Sequence, residues 1–390
     1  DAQRIQQNVT RKNPPRLEKI ADTDVIPPTA TPGRFQERNT TGGLLNLNIK
    51  NMRMKTKILM ALAIFLPFIA TAQMMPDSTV QIVAYWEKGD RVVYECKNTT
   101  KQIEVDGTET TKQASSETRI FEVIEETDSS YVLQTSYRDV FSSQVSLNIG
   151  ADIVSRLSEG IIIQTRTDQF GAIEEVVNVD ALIEAMKRTV PVAVDATLAK
   201  YDKKTLEEMG AVREALIDSY TELLCRPETV VSTCMEDVQP LLFYHGARLS
   251  LDEEYAITQQ FSNPLGGGGS FEADIKFWVD AENSDSTMVI IRSYMSVDSD
   301  VLMPFVREAI AAASGALMPD GISQEELMAE VDKHIADTHM EMTLEQYSAT
   351  AIDLYSGWPL LWWSKRIIVN TSDEGKVENT EEREVKAVDE

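Results

Sequence analysis

TDSSYVLQTSY (residues 127–137) and SDSTMVIIRSY (residues 284–294) share Asp, Ser, Val, Ser and Tyr at matching places. In each, a polar turn opens into an alternating β-branched and aromatic run, which is how a hairpin turn feeds a half-buried strand. Each stretch also follows another alternating run: ETRIFEVIE at 117–125 before the first, SFEADIKFWVD at 270–280 before the second. Two related hairpins about 157 residues apart predict a sheet built from two similar β-halves.

Working outward, the first half gains strands at 79–85 and 91–105, the latter ending at the turn dipeptide Asp106-Gly107. It also gains a hairpin at 160–177 that turns near Asp168 and Gly171. The second half gains a strand at 255–261 and a hairpin running from 349 to 368 through Ser356-Gly357. Helical periodicity appears at 180–188, 205–224, 301–313 and 323–339. Ser323 with Glu326 forms a capping box ahead of Leu327, Val331 and Ile335. The charged segment from Asp373 is read as a frayed tail or a last edge strand at 381–388. These elements predict an α+β fold, with a large curved antiparallel sheet in two related β-halves, about 79–178 and 241–388, and helices packed on one face.

Residues 54–72, MKTKILMALAIFLPFIATA, set the compartment. Lys55 and Lys57 precede an apolar run of about a dozen residues, and Ala70-Thr71-Ala72 is an A-x-A cleavage site before Gln73. The run is short of the ~20 residues a membrane span needs. Residues 54–72 are therefore expected to be a signal peptide, residues 1–53 an upstream or disordered segment, and residues 73–390 the exported domain, periplasmic or secreted. No later stretch suggests a span.

The net charge of −26 becomes −32 over residues 73–390, because residues 1–72 contribute +6. A field of that sign repels nucleic acid and anionic head groups. Cys225 and Cys234 could close a short loop at a helix end in an oxidising compartment, leaving Cys96 in a strand.

The order of these elements, with the Gly357 hairpin near the end, resembles the open half-barrel of periplasmic lipoprotein carriers and uncharacterised exported families of the Bacteroidota. Gln73 directly after the cleavage site also resembles exported proteins of that phylum. The resemblance spans most of residues 79–388 and has no diagnostic motif, so it assigns no functional residue.

No catalytic, metal or cofactor motif emerges. His334 and His339 are five apart, which turns them away from each other on a helix, whereas paired ligands stand at i and i+4. His245 is read as structural. The glycines at 266–269 lack the Lys-Ser/Thr of a phosphate loop. Carboxylate pairs such as Glu125-Glu126, Glu174-Glu175 and Asp252-Glu253 carry little information in a chain this acidic. GWPLLWW at 357–363 stands out, because Trp362 and Trp363 must face opposite sides of a strand. The reading is a non-enzymatic exported protein that binds a lipid or other apolar ligand, with Trp358, Trp362, Phe277 and Trp278 as candidate ligand-binding residues. The alternative is a cell-envelope module that binds another protein and has no small-molecule site.

Overall fold

The computed structural model describes residues 78–143, 160–198, 212–263, 270–315 and 323–389. The segment at 54–72 read as a signal peptide, the segment before it, the glycines at 266–269 and the first part of the helix expected at 205–224 lie outside the described residues.

Eleven strands form one antiparallel sheet that does not close into a barrel, and helices complete the expected α+β fold. The first meander is β2 (Arg91–Ile103), β3 (Glu109–Glu126), β4 (Ser130–Ser142), β5 (Ile162–Asp168) and β6 (Ile173–Val176). The second is β8 (Glu254–Ser262), β9 (Ser270–Val279), β10 (Met288–Val297), β11 (Glu341–Asp353), β12 (Pro359–Ser372) and β13 (Gly375–Val388). Across the sheet the order is β6-β5-β4-β3-β2-β13-β12-β11-β10-β9-β8, and the short strands β1 (Thr79–Gln81) and β7 (Arg248–Ser250) pair separately. Moving six strands along this order takes β4 to β10 and β3 to β9, so the two similar hairpins occupy equivalent places. β5 and β6 likewise correspond to β11 and β12, and β13 is the extra strand of the second meander, lying between β12 and β2.

The segment after β1 determines the curvature. Ala84 donates its amide to the carbonyl of Phe170 in the β5–β6 turn (2.9 Å), and Tyr85 donates to Ser356 in the β11–β12 turn (3.1 Å). Six inter-strand steps in a flat sheet would separate those turns by about 29 Å. Two consecutive amides cannot reach both unless the sheet curls, so this strap holds it as a half-barrel. Both turns are built alike. An aspartate, Asp168 or Asp353, accepts backbone amides of its own turn, and a glycine with φ of +92° or +77° completes it. Strap residues Ile82, Ala84 and Trp86 are buried, and Trp86 stacks on Trp358 at 4.3 Å. From the third side, Gly246 and Ala247 bond Ile82 through backbone, and Nε2 of buried His245 donates to the Gly357 carbonyl (2.8 Å).

Five helices are described: α1 (Val179–Leu198), α2 (Val212–Leu224), α3 (Pro227–Leu242), α4 (Ser299–Gly315) and α5 (Gln324–Asp337). α3 lies in the concavity, touching β6 and, six strands away, β12. Pro227 opens it, where a missing amide costs nothing, and Val230, Cys234, Val238 and Leu241 form its buried stripe. Val238, Leu241 and Leu242 pack on Tyr94, Cys96, Phe121, Leu133 and Val385, a core drawn from both meanders. α4 places Leu302 and Val306 against Phe271, Met295 and Leu344 towards the other end.

Two expectations are corrected. The segment after Asp373 is neither frayed nor an edge: β13 pairs β12 on one side and β2 on the other, and so joins the meanders. Its charges are paired on the sheet, as in Lys376–Glu378 and Arg383–Glu381. Residues 227–242, to which the periodicity assigned no element, form the central helix. Among the described residues the three cysteines are free. Cys234 faces Tyr137 and Ile163 in the core, while Cys225 follows α2 near Lys187. Burial pushes the Cys96 thiol up to about 12, which removes its nucleophilic character at neutral pH.

Two predictions follow from the strap. A Cβ at Gly357 would fall on the Val83 carbonyl and within 2.9 Å of the Ala84 Cα. Gly357→Ala should therefore cost more than about 3 kcal/mol in urea unfolding. Gly89→Ala, at φ +96° with open space around it, should cost about 1–2 kcal/mol; equal losses would contradict the strap. Burial also lowers the His245 pKa to about 4, against the hydrogen bonds that favour its charged form. The unfolded chain therefore binds a proton that the folded chain refuses. Stability from this residue is intact above pH 6.5 and declines as pH falls towards 4, by about 2 kcal/mol between pH 7 and 5. His245→Gln should remove that part of the pH dependence; an unchanged slope would contradict the assignment.

Candidate ligand cleft

α3 is docked on the sheet by a buried ionic cluster. Arg119 of β3, 7% exposed, donates to the Asp237 carboxylate (2.8 Å), to the Asp237 carbonyl and to Glu117. The Tyr137 hydroxyl donates to the other Asp237 oxygen (2.7 Å). Burial, and then the Asp237 carboxylate, hold that phenol well above its usual range, so it stays protonated as a donor. A buried arginine is tolerable when its fork is met in this way. The cluster fixes the height of α3 above the floor.

The sheet is wider than one helix can fill, and space remains on both sides of α3. On the side of the second meander lies a cleft of about 450 Å³, within the size range of small-molecule sites. One wall is apolar and aromatic, with Met235, Phe243 and Tyr244 from α3 and its exit facing Phe261, Phe271, Met295 and Leu344. The floor is polar. Ser293, Ser348 and Ser364 stand opposite one another across β10, β11 and β12, and the first two hydroxyls are 2.7 Å apart. Thr350 and Trp362 face each other in the next row. Gln346, Arg366 and Glu381 make the row on the far side. Arg366 donates Nε to Gln346 (3.0 Å), and Arg383 donates to Glu381 (2.7 Å). Burial lowers the Arg366 pKa, while nearby Glu381 opposes that shift. A second cavity of about 330 Å³ lies on the other side of α3 and shares Glu236, Pro240, Trp362 and Arg383 with the first.

Of the four aromatic candidates, Trp362 lines the cleft. Trp358 is buried against Trp86 in the strap, and Phe277 is buried between Tyr244 and Tyr255. Trp278 is on the opposite side of β9 from Phe277, opposite Arg292 in register. Trp363, alternate to Trp362, turns away and donates its indole N–H to Glu382 (3.1 Å). The α3 residues and the serine row carry no sequence motif; the row exists only once the β10–β11–β12 register is known. His334 is exposed on α5, and His339 pairs with Asp373 (3.0 Å). Among the described residues no group of three or more His, Cys, Asp or Glu side chains is placed to hold a metal. Nor, among them, is any helix long and apolar enough to cross a membrane, which says nothing about β-barrels.

No family model matches the chain, and no curated protein matches it. Among solved structures, lipovitellin, described for its lipid–protein interactions, is similar at a TM-score of 0.30 and 8% identity, over 78% of this chain and 25% of that one. A loop L8 deletion mutant of OmpT, an outer membrane protein of Vibrio cholerae, is similar at a TM-score of 0.15 and 7% identity, over 77% of this chain and 100% of the other. This chain spans about a quarter of the lipovitellin chain, and likenesses this weak carry no argument about its function.

Proposed function

We propose that this chain is an exported, non-enzymatic binding protein that holds an amphiphilic small molecule between α3 and the sheet. The observation that carries the reading is the cleft of about 450 Å³, with an aromatic and aliphatic wall facing a hydrogen-bonding floor. A wholly apolar ligand would strand the floor's donors and acceptors, and burying them unpaired is unfavourable. A ligand with one apolar and one polar side satisfies both surfaces. Export rests on the signal-like segment at 54–72, and the periplasm or the exterior is the compartment it implies.

A second reading, an envelope module that recruits a partner strand, is favoured by β8, which ends the sheet order with one edge unpaired among the described strands. It requires no cleft.

The test is native mass spectrometry with organic extraction on protein from a periplasmic expression host, together with uptake of a fluorescent alkyl probe. The expected result is a co-purifying molecule released on denaturation, or saturable probe uptake. Ser348→Phe, which places a ring in the floor, should weaken uptake at least tenfold and move Tm by only a few degrees. A clean unliganded mass with no uptake would overturn the proposal.

A further inference from the structure

We infer that the ligand's polar part is uncharged and rich in hydroxyl groups, as a sugar is, and that the cleft floor reads it through hydrogen bonds. This rests on the binding reading above and specifies the chemistry of the same site.

The floor presents hydroxyls and an amide rather than a surplus of charge. Ser293, Ser348 and Ser364 line up in register across three strands. Strand alternation puts Thr350 on the same face of β11 as Ser348. Thr350 is 1% exposed and lines the cleft, yet among the described residues its hydroxyl has no hydrogen-bond partner. A buried hydroxyl left unpaired is costly, and a ligand hydroxyl is a partner that removes the cost. Trp362 stands directly opposite Thr350, so an aromatic face lies beside the hydroxyl row, where a ring with C–H faces and O–H edges can use both.

Charge argues the same way. Arg366 and Arg383 on this cleft are balanced by Glu381 and Glu236, and Arg366 lies 3.6 Å from Glu381 while Arg383 bonds it. The lining therefore has no cation left over for a carboxylate or phosphate, and the net charge of −26 disfavours anions further. Glu236, which acts on Arg366 through space, brings the lining to two cations and two carboxylates, so it has no surplus of either sign. The polar row also continues past Arg383 to Asn98 and Ser115, which line the second cavity. Counted from Ser293, it crosses six strands, or about 24 Å, long enough for more than one sugar ring.

Isothermal titration of the full chain purified from a bacterial host tests this with octyl maltoside, octanoate, octyltrimethylammonium and maltose, each below any micelle concentration. Octyl maltoside is expected to bind at least tenfold more tightly than octanoate and octyltrimethylammonium. Thr350→Val combined with Ser348→Ala should reduce that preference to threefold or less without weakening octanoate. Thr350→Val alone should leave Tm unchanged or raise it, which separates lost recognition from lost folding. Maltose binding as tightly as octyl maltoside identifies a free saccharide, and maltose more than tenfold weaker identifies a glycolipid head group; both support the inference. Octanoate or octyltrimethylammonium binding as well as octyl maltoside overturns the sugar assignment and leaves the amphiphile reading standing. Failure of all four to bind overturns both.

Discussion

Two consecutive amide groups, those of Ala84 and Tyr85, bond carbonyls in turns that a flat sheet would hold six strands apart. The rest of the structure depends on that constraint. It bends the eleven-stranded sheet into an open half-barrel and creates a concave face that an extended sheet would lack. Because the strap is short and buried, its backbone must approach the turns closely, and Gly357 is where that approach is tightest. His245 and Trp86 close the third side of the same knot.

A concave face needs filling, and α3 fills part of it. The helix is held by its apolar stripe and by the Arg119–Asp237–Tyr137 cluster, so its height and rotation are both specified. Beyond α3 the floor changes from Tyr94, Phe121 and Leu133 to serines, Gln346 and paired arginines. These side chains are too small or too polar to pack a core. The space beside the helix therefore persists as a cleft, and its chemistry comes from the same small polar residues that leave it open.

Much of the architecture was legible in the sequence because alternation and turn chemistry are local. The β3–β4 and β9–β10 hairpins, the Gly171 and Gly357 turns and the Ser323–Glu326 cap were all readable from adjacent residues. β13 was obscured because GKVENTEEREVKAV alternates charge with charge, and its central place depends on partners more than 270 residues away in β2. α3 was obscured because Val230, Val231, Thr233 and the internal Pro240 argue against a helix locally, while burial in the concavity overrides propensity. Of the tryptophans, the sequence singled out the GWPLLWW cluster but could not tell Trp362, in the cleft floor, from Trp358, locked under the strap. That distinction depends on curvature, which arises from long-range hydrogen bonds that no local pattern encodes.

The curl is best tested by a distance. Spin labels at Phe170→Cys and Tyr355→Cys, both exposed turn positions, in a Cys225→Ser background would report the separation of the β5–β6 and β11–β12 turns by pulsed electron resonance. The strap predicts a narrow distribution centred below about 20 Å, tethers included. A distribution at or beyond the roughly 29 Å of an uncurled sheet would contradict the half-barrel, and with it the cleft.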